Sequence, residues 1–202
     1  DAERAKTLFE RAWLDRFTDG LNPGAALLDV GCGAGDPIAF HLLDAGYAVT
    51  GLDASPAMIA LARRRRPGGD WRVADMRALD PVPDPVPDPA PDPTTPPALD
   101  PAARYDGVIA WDSFFHLTPG EQRAVLPALV RRLKPGGRLL VTVGPKAGEV
   151  TGRVGGEPVY HASLSLEDYE ALLAGAGAGV RAFVREDPAC DFHTVLLAER
   201  AR

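Results

Sequence analysis

Short continuous apolar runs alternate with amphipathic stretches along most of the chain. AALLDV (25–30), YAVTGLD (47–53), WRVAD (71–75), YDGVIAW (105–111) and RLLVTVG (138–144) are each five to seven residues long and bounded by glycine, proline or charge. Such runs read as strands buried on both faces of a parallel sheet. Between them, apolar positions return at helical spacing. Leu8, Ala12, Leu14 and Phe17 predict an amphipathic helix from Glu3 to about Asp19. IAFHLLDAG predicts a second helix, with Asp36 as N-cap, Pro37 at the first helical position and Gly46 closing it. Ser55-Pro56 opens a third, AMIALARRRR. Thr118-Pro119-Gly120-Glu121 has the capping-box pattern and predicts a fourth, running to Lys134 and stopped by Pro135-Gly136-Gly137. Pro127 lies inside it and is expected to kink it or move its start. A glycine-rich loop is expected after Gly144, then a helix capped by Ser165, then a terminal pair of strands in VRAFVRE and TVLLAER.

The alternation is interrupted once, by PVPDPVPDPAPDP from Pro81, where proline removes backbone donors and favours extended polyproline II. Neither flank has enough strands for a sheet of its own, so residues 81–101 are expected to form a surface loop of one domain spanning 1–202. The fold class that follows is α/β, a doubly wound Rossmann-like sheet with helices on both faces.

Composition narrows the partners. With a formal charge of -6, the chain lacks the basic footprint expected for nucleic acid or an anionic membrane, and a small-molecule partner is favoured. The four arginines at 63–66 suit the negative end of a helix dipole. No apolar stretch reaches the roughly 18 residues of a membrane span, and the charged start does not resemble a secretory signal, so a cytoplasmic location is expected. Cys32 and Cys190 are too few for a disulfide framework. Cys190 and His193 have a C-x-x-H spacing, but a structural zinc site needs four ligands, so no metal is expected.

DVGCGAGD (29–36) packs three glycines directly after the first predicted strand, where open α/β sheets bind ligands. A dinucleotide fingerprint needs glycine at position 36, which holds Asp36, and that carboxylate would repel a pyrophosphate. A ligand bearing positive charge fits better, which disfavours a nicotinamide oxidoreductase.

The stretch LLDVGCGAGDPIAFHLLDAGYAVTGLDASPAMIALARRR resembles the first two motifs of class I S-adenosylmethionine (SAM) dependent methyltransferases. The resemblance continues through VADMRAL, YDGVIAWDSFFHL and LVRRLKPGGRLLVTV. It implies a seven-stranded sheet, mostly parallel with one antiparallel strand, and SAM as cofactor with S-adenosylhomocysteine as product. Carried over by position, Gly31, Gly33 and Gly35 would let the backbone approach the methionine part of SAM. Asp29 would lie near its ammonium, and Cys32 and Ala34 would contribute backbone alone. Asp53, followed by Ala54, matches the acidic residue that grips both ribose hydroxyls. Met58 matches a side chain beside the nucleoside, with an ordinary helix-core position as the alternative. Asp75 and Met76 match the pair that reads adenine, with a surface aspartate ending a strand as the alternative for Asp75, and Trp111 would offer its backbone carbonyl.

On the acceptor side, Asp112, Ser113 and His116 cluster after the fourth strand. His116 is the candidate general base, because an unperturbed imidazole titrates near neutrality, with Asp112 as the second candidate catalytic residue; a positioning or structural histidine is the alternative for His116. Tyr160 and His161, in the loop expected between the fifth strand and the last helix, are candidate substrate-binding residues, with simple loop packing as the alternative. The implied activity is methyl transfer to oxygen, nitrogen or sulfur of a small metabolite. Intramolecular cyclisation by an enzyme of the same fold, and a catalytically silent SAM-binding module, are the alternatives. The N-terminal segment in this family often folds over the cofactor. Because the sequence starts at Asp1 rather than Met, residues 1–24 are expected to form only part of that lid. The sequence does not indicate an oligomeric state.

Overall fold

The computed structural model describes residues 8–79, 99–154 and 156–202. Its elements are α1 (Arg11–Thr18), β1 (Ala26–Val30), α2 (Ile38–Asp44), β2 (Ala48–Asp53), α3 (Pro56–Arg65), β3 (Asp70–Val73) and β4 (Tyr105–Ala110). They continue as α4 (Pro119–Arg131), β5 (Leu133–Val143), β6 (Gly148–Val154), β7 (Glu157–Ser163), α5 (Leu166–Gly175), β8 (Ala178–Asp187) and β9 (His193–Arg200). Seven strands form one sheet in the order β3-β2-β1-β4-β5-β9-β8, with β9 antiparallel to both of its neighbours. The sheet runs outward from β1 to β3, then resumes on the other side of β1 with β4. This reversal leaves a crevice at the carboxyl ends of β1 and β4.

The unbroken apolar runs have a direct cause. Successive side chains of a strand point to opposite faces, and here both faces are covered. Leu28, Val108, Leu139 and Leu196 pack into a core with α4 and α5, while Leu27, Ile109, Leu140 and Val195 pack into another with α1, α2 and α3.

Several expected boundaries move. Pro37, not Asp36, occupies the N-cap of α2, and no side chain caps it. The loop itself supplies the acceptor, since the Phe40 N–H donates to the Gly35 carbonyl at 2.9 Å. Helix α4 ends at Arg131, and Leu133 already pairs with Tyr105. Pro135-Gly136-Gly137 is therefore a bulge inside β5, where the partner of β4 jumps from Leu133 to Arg138. Helix α4 starts at Pro119 and runs through Pro127, which removes one i→i−4 bond. The glycine-rich loop expected after Gly144 holds a hairpin, β6–β7, in register from Gly148↔Ser163 to Val154↔Glu157. Its glycines and charges hide the strand signal. The capping box of Thr118 and Glu121 and the Ser165 cap of α5 form as read. The first helix begins at Arg11 rather than before Leu8, residues 3–7 of its predicted start lie outside the described residues, and so does most of the proline-rich stretch.

The two edges of that stretch meet at one side chain. Arg132, 4% exposed, donates to the Asp100 carbonyl at 2.8 Å, to the Pro101 carbonyl and to the Leu79 carbonyl. A guanidinium fork thus ties the segment ending at the buried Leu79 to the one beginning at the buried Leu99.

A second buried knot joins α4, α5 and β7. The fully buried Tyr169 hydroxyl donates to Gln122 Oε1 at 2.8 Å and accepts from the Leu164 N–H at 3.1 Å. Tyr169→Phe leaves both partners desolvated and unpaired, so a loss of about 2 kcal/mol is expected, read as a lower midpoint in chemical denaturation.

Candidate active site

The glycine loop is shaped by packing as much as by any ligand. Gly31, Gly33 and Gly35 all lie at positive φ (+76°, +55° and +83°). A Cβ on Gly31 would stand 2.3 Å from Ser113 Cβ, and one on Gly35 would stand 2.6 Å from the Phe40 ring and 2.8 Å from Trp71. Gly33 alone of the three has nothing within 4 Å. The bare backbone of the loop thus faces open space at that residue. The N–H groups of Gly31 and Cys32 both donate to the Leu52 carbonyl at 2.8 Å, locking the loop onto the end of β2. Cys32 turns its thiol toward the Gly33 carbonyl, and burial pushes that thiol well above its usual titration range. Ala34 lies in the turn closed by the Gly35 N–H donating to the Cys32 carbonyl at 2.9 Å.

Two carboxyls flank this loop. Asp53, at the tip of β2, accepts from the Gly33 N–H at 2.9 Å and from the Ser55 N–H at 2.8 Å, and Ala54 beside it is exposed. Asp29 is 3% exposed, and burial, helped by the nearby Asp53 charge, pushes its pKa up to about 7. A carboxyl whose folded pKa exceeds the unfolded value stabilises the fold when protonated. That contribution is complete below the unfolded value near 3.8 and is lost as pH rises through about 7. The fall in Tm between about pH 5 and about pH 8 should therefore be smaller in Asp29→Asn than in the native chain, as thermal denaturation at the two pH values would show. A cationic ligand placed beside Asp29 would favour its ionised form.

On the far side, Met58 is 45% exposed on α3, so it is not part of the helix core. Asp75 caps the 3₁₀ turn Met76–Ala78 and accepts from the Arg77 N–H at 2.9 Å. The Arg77 guanidinium bridges Asp75 and Glu121, and its hydrogen bonds hold the Asp75 carboxyl below the usual range. The basic end of α3 is tied down locally: Arg63 donates to the Trp71 carbonyl at 2.7 Å and Arg66 to Asp44 at 2.8 Å.

Past the tip of β4 the chain is unusual. Trp111 is buried, and its indole Nε1 has no partner among the described residues. Asp112 adopts φ +49°, donates its N–H to Thr142 Oγ1 at 2.8 Å and places Oδ1 2.8 Å from His193 Nε2. His193 Nδ1 is 2.8 Å from the Cys190 carbonyl. A carbonyl accepts only, so Nδ1 carries a proton. The proton between Nε2 and Asp112 then makes either an imidazolium–carboxylate pair or a neutral imidazole facing a carboxylic acid. The C-x-x-H spacing thus brings a backbone carbonyl to the ring, while the buried Cys190 thiol is pushed up to about 12, chiefly by burial. Ser113, expected to face an acceptor, gives its hydroxyl proton to the Val30 carbonyl at 2.8 Å and packs on Gly31.

Beside this group lies a cavity of about 560 Å³ between the β6–β7 hairpin and the β8–β9 turn, with His161 and His193 in its wall. His116 does not line it. Its Nδ1 donates to the Tyr160 carbonyl at 3.0 Å, and its ring lies 5.1 Å from that of His161. Burial and the neighbouring His116 lower the His161 pKa, so His161 stands neutral at pH 7 with a basic nitrogen. Tyr160 also lies outside the wall. It donates to Glu149 at 2.5 Å, which pushes its hydroxyl up to about 12. Both Tyr160 and His161 sit on β7 rather than in a loop. The residue missed by sequence reading is His193. Its spacing from Cys190 suggested only metal, and nothing local indicates a partner 81 residues away. Among the described residues no three His, Cys, Asp or Glu side chains gather as a metal site, and no helix is long and apolar enough to cross a membrane.

A family model described as a methyltransferase domain matches residues 28–139. The trans-aconitate 2-methyltransferase of Methylobacterium nodulans is 35% identical over 174 residues, 77% of this chain and 58% of its own length. That of an Azoarcus species is 29% identical over 90% of this chain and 59% of its own. The chain thus spans less than two thirds of these curated relatives. Among solved structures, the SAM-bound amino pentose methyltransferase CalS10 from Micromonospora echinaspora superposes with a TM-score of 0.68 at 23% identity, covering 99% of this chain and 95% of that one. At that identity the match concerns the fold. With the fold, the glycine loop and these matches in agreement, the chain belongs to the class I SAM-dependent methyltransferases.

Proposed function

We propose that this protein transfers a methyl group from SAM to an oxygen, nitrogen or sulfur of a small molecule held in the cavity beside Asp112. The observation that carries this reading is the adjacency of two features on one edge of the sheet: an open glycine loop flanked by Asp29 and Asp53, and the cavity behind Asp112. The loop residues fit the cofactor. Gly33 presents bare backbone to open space, Asp53 offers acceptor oxygens to ribose hydroxyls, and the exposed Met58 offers a soft apolar contact. Asp29 would balance the ammonium, and Asp75 with the Met76 N–H would read adenine.

When bound, the cofactor supplies an electrophilic methyl group on a sulfonium. The protein then has to align an acceptor, exclude water and receive a proton where the acceptor must lose one. Asp112, held by His193 and Thr142, fixes the floor between the two sites. The neutral His161 in the cavity wall is better placed than His116 to take a proton. Residues 81–101 are, in this reading, a loop of a single domain whose feet are held by Arg132.

The test is incubation with methyl-labelled SAM and a metabolite extract, followed by mass spectrometry. A labelled product formed together with S-adenosylhomocysteine is expected. Consumption of SAM with label in no acceptor would defeat the assignment in favour of another use of the cofactor.

A further inference from the structure

The acceptor cavity has a charge balance and a rim that point to a ligand class. Its ionisable lining among the described residues is Lys146, Glu149, Glu186 and Asp191, with the neutral His161 and the Asp112-paired His193. Negative charge is in excess, and there is no guanidinium. Arg185, next in sequence to Glu186, lies outside the lining: it donates to the Pro145 carbonyl at 2.9 Å and lies over the Phe183 ring.

The rim is apolar and conformationally strained. Phe192 (68% exposed) and Val150 (62% exposed) are the two most exposed large hydrophobic side chains of the described residues, and both line this cavity. Asp112, Glu186, Asp191 and Phe192 are the non-glycine residues at positive φ among those described, and all four stand at the cavity or on its His193 wall. Left-handed backbone is unfavourable for ordinary L-residues, and it persists where the surroundings over-determine it, often at ligand sites. Here it presents two carboxylates and a phenyl ring around one opening.

We propose, resting on the methyltransferase reading, that this cavity takes an acceptor bearing a protonated amino group beside an apolar segment, and disfavours polycarboxylates. Glu186, Asp191 and Glu149 provide the field for the ammonium, and Phe192 adds an aromatic face that attracts cations. A polycarboxylate would want forked guanidinium donors and would instead meet three carboxylates and one lysine. The acceptor class therefore differs in charge from the trans-aconitate named for the curated relatives.

Calorimetric titration of the chain loaded with S-adenosylhomocysteine tests this, using phenethylamine, phenylacetate and trans-aconitate as probes. The amine is expected to bind at least about tenfold more tightly than either carboxylate, with the margin shrinking in about 0.5 M salt. The double variant Glu186→Gln/Asp191→Asn should weaken amine binding about threefold to tenfold, while S-adenosylhomocysteine affinity is unchanged. Equal or tighter binding of a carboxylate, failure of the amine to bind, or an unaltered preference in the double variant overturns the proposal. The cofactor titration separates the two levels. Loss of amine preference with S-adenosylhomocysteine bound removes the acceptor class alone, whereas failure of the native chain to bind S-adenosylhomocysteine removes the methyltransferase reading.

Discussion

Gly31→Ala is expected to cost at least about 3 kcal/mol, lowering Tm by roughly 6 to 12 °C for a chain of this size. Two penalties add. The residue sits at φ +76°, and its new Cβ would stand 2.3 Å from Ser113 Cβ, an atom fixed to the backbone that cannot rotate away. Relief requires moving either the loop bonded to Leu52 or the segment after β4. Gly33→Ala supplies the contrast. Its neighbourhood is open, so the φ penalty of about 1 to 2 kcal/mol is all the fold should feel, while cofactor affinity falls because the added methyl narrows the approach. Ser113→Gly in the Gly31→Ala background should recover the steric part. Differential scanning calorimetry of the set decides, and a Gly31→Ala protein as stable as the native chain would refute the packing account.

Asp53→Ala is expected to weaken SAM or S-adenosylhomocysteine binding about tenfold to a hundredfold, the consequence of losing charge-assisted hydrogen bonds worth roughly 1.5 to 3 kcal/mol. The carboxylate already accepts from Gly33 and Ser55, so it ties the glycine loop to the start of α3 before any ligand arrives. Under the proposed cofactor reading, its removal takes away both an acceptor for the sugar and the brace on the loop. Asp53→Asn keeps one acceptor oxygen and should fall between the two. Calorimetric titration reads the effect directly, and affinity unchanged in Asp53→Ala would remove the carboxylate from the cofactor site.

Much of this organisation is local, and therefore legible. Ser55, Thr118 and Ser165 cap helices through bonds to backbone three residues on, a distance that sequence spacing encodes. The misread segments involve partners far away. Pro135-Gly136-Gly137 reads as a helix stop, yet β4 recruits Leu133 beforehand and turns the triplet into a bulge. The β6–β7 hairpin is the exception: it pairs with itself within residues 148–163, and its strands carry no clear alternation of apolar and polar positions. Ser113 and His116 cluster in sequence with Asp112, but the close approach of Gly31 turns Ser113 onto Val30, and the Tyr160 carbonyl holds His116 behind the wall. His193 is silent in the sequence because its partner Asp112 stands past the tip of β4, with β5 lying between β4 and β9 in the sheet.

By itself the sequence determined the strand–helix alternation, the glycine-rich turn after β1 and the acidic tip of β2, because each follows from periodicity, backbone sterics or capping within a few residues. Only the tertiary structure decided which histidines line the cavity between the hairpin and the β8–β9 turn, what Asp112 is bonded to, and the charge balance of that cavity. Those properties arise where segments remote in sequence converge. Their desolvation, pairing and strain depend on the neighbours that packing supplies.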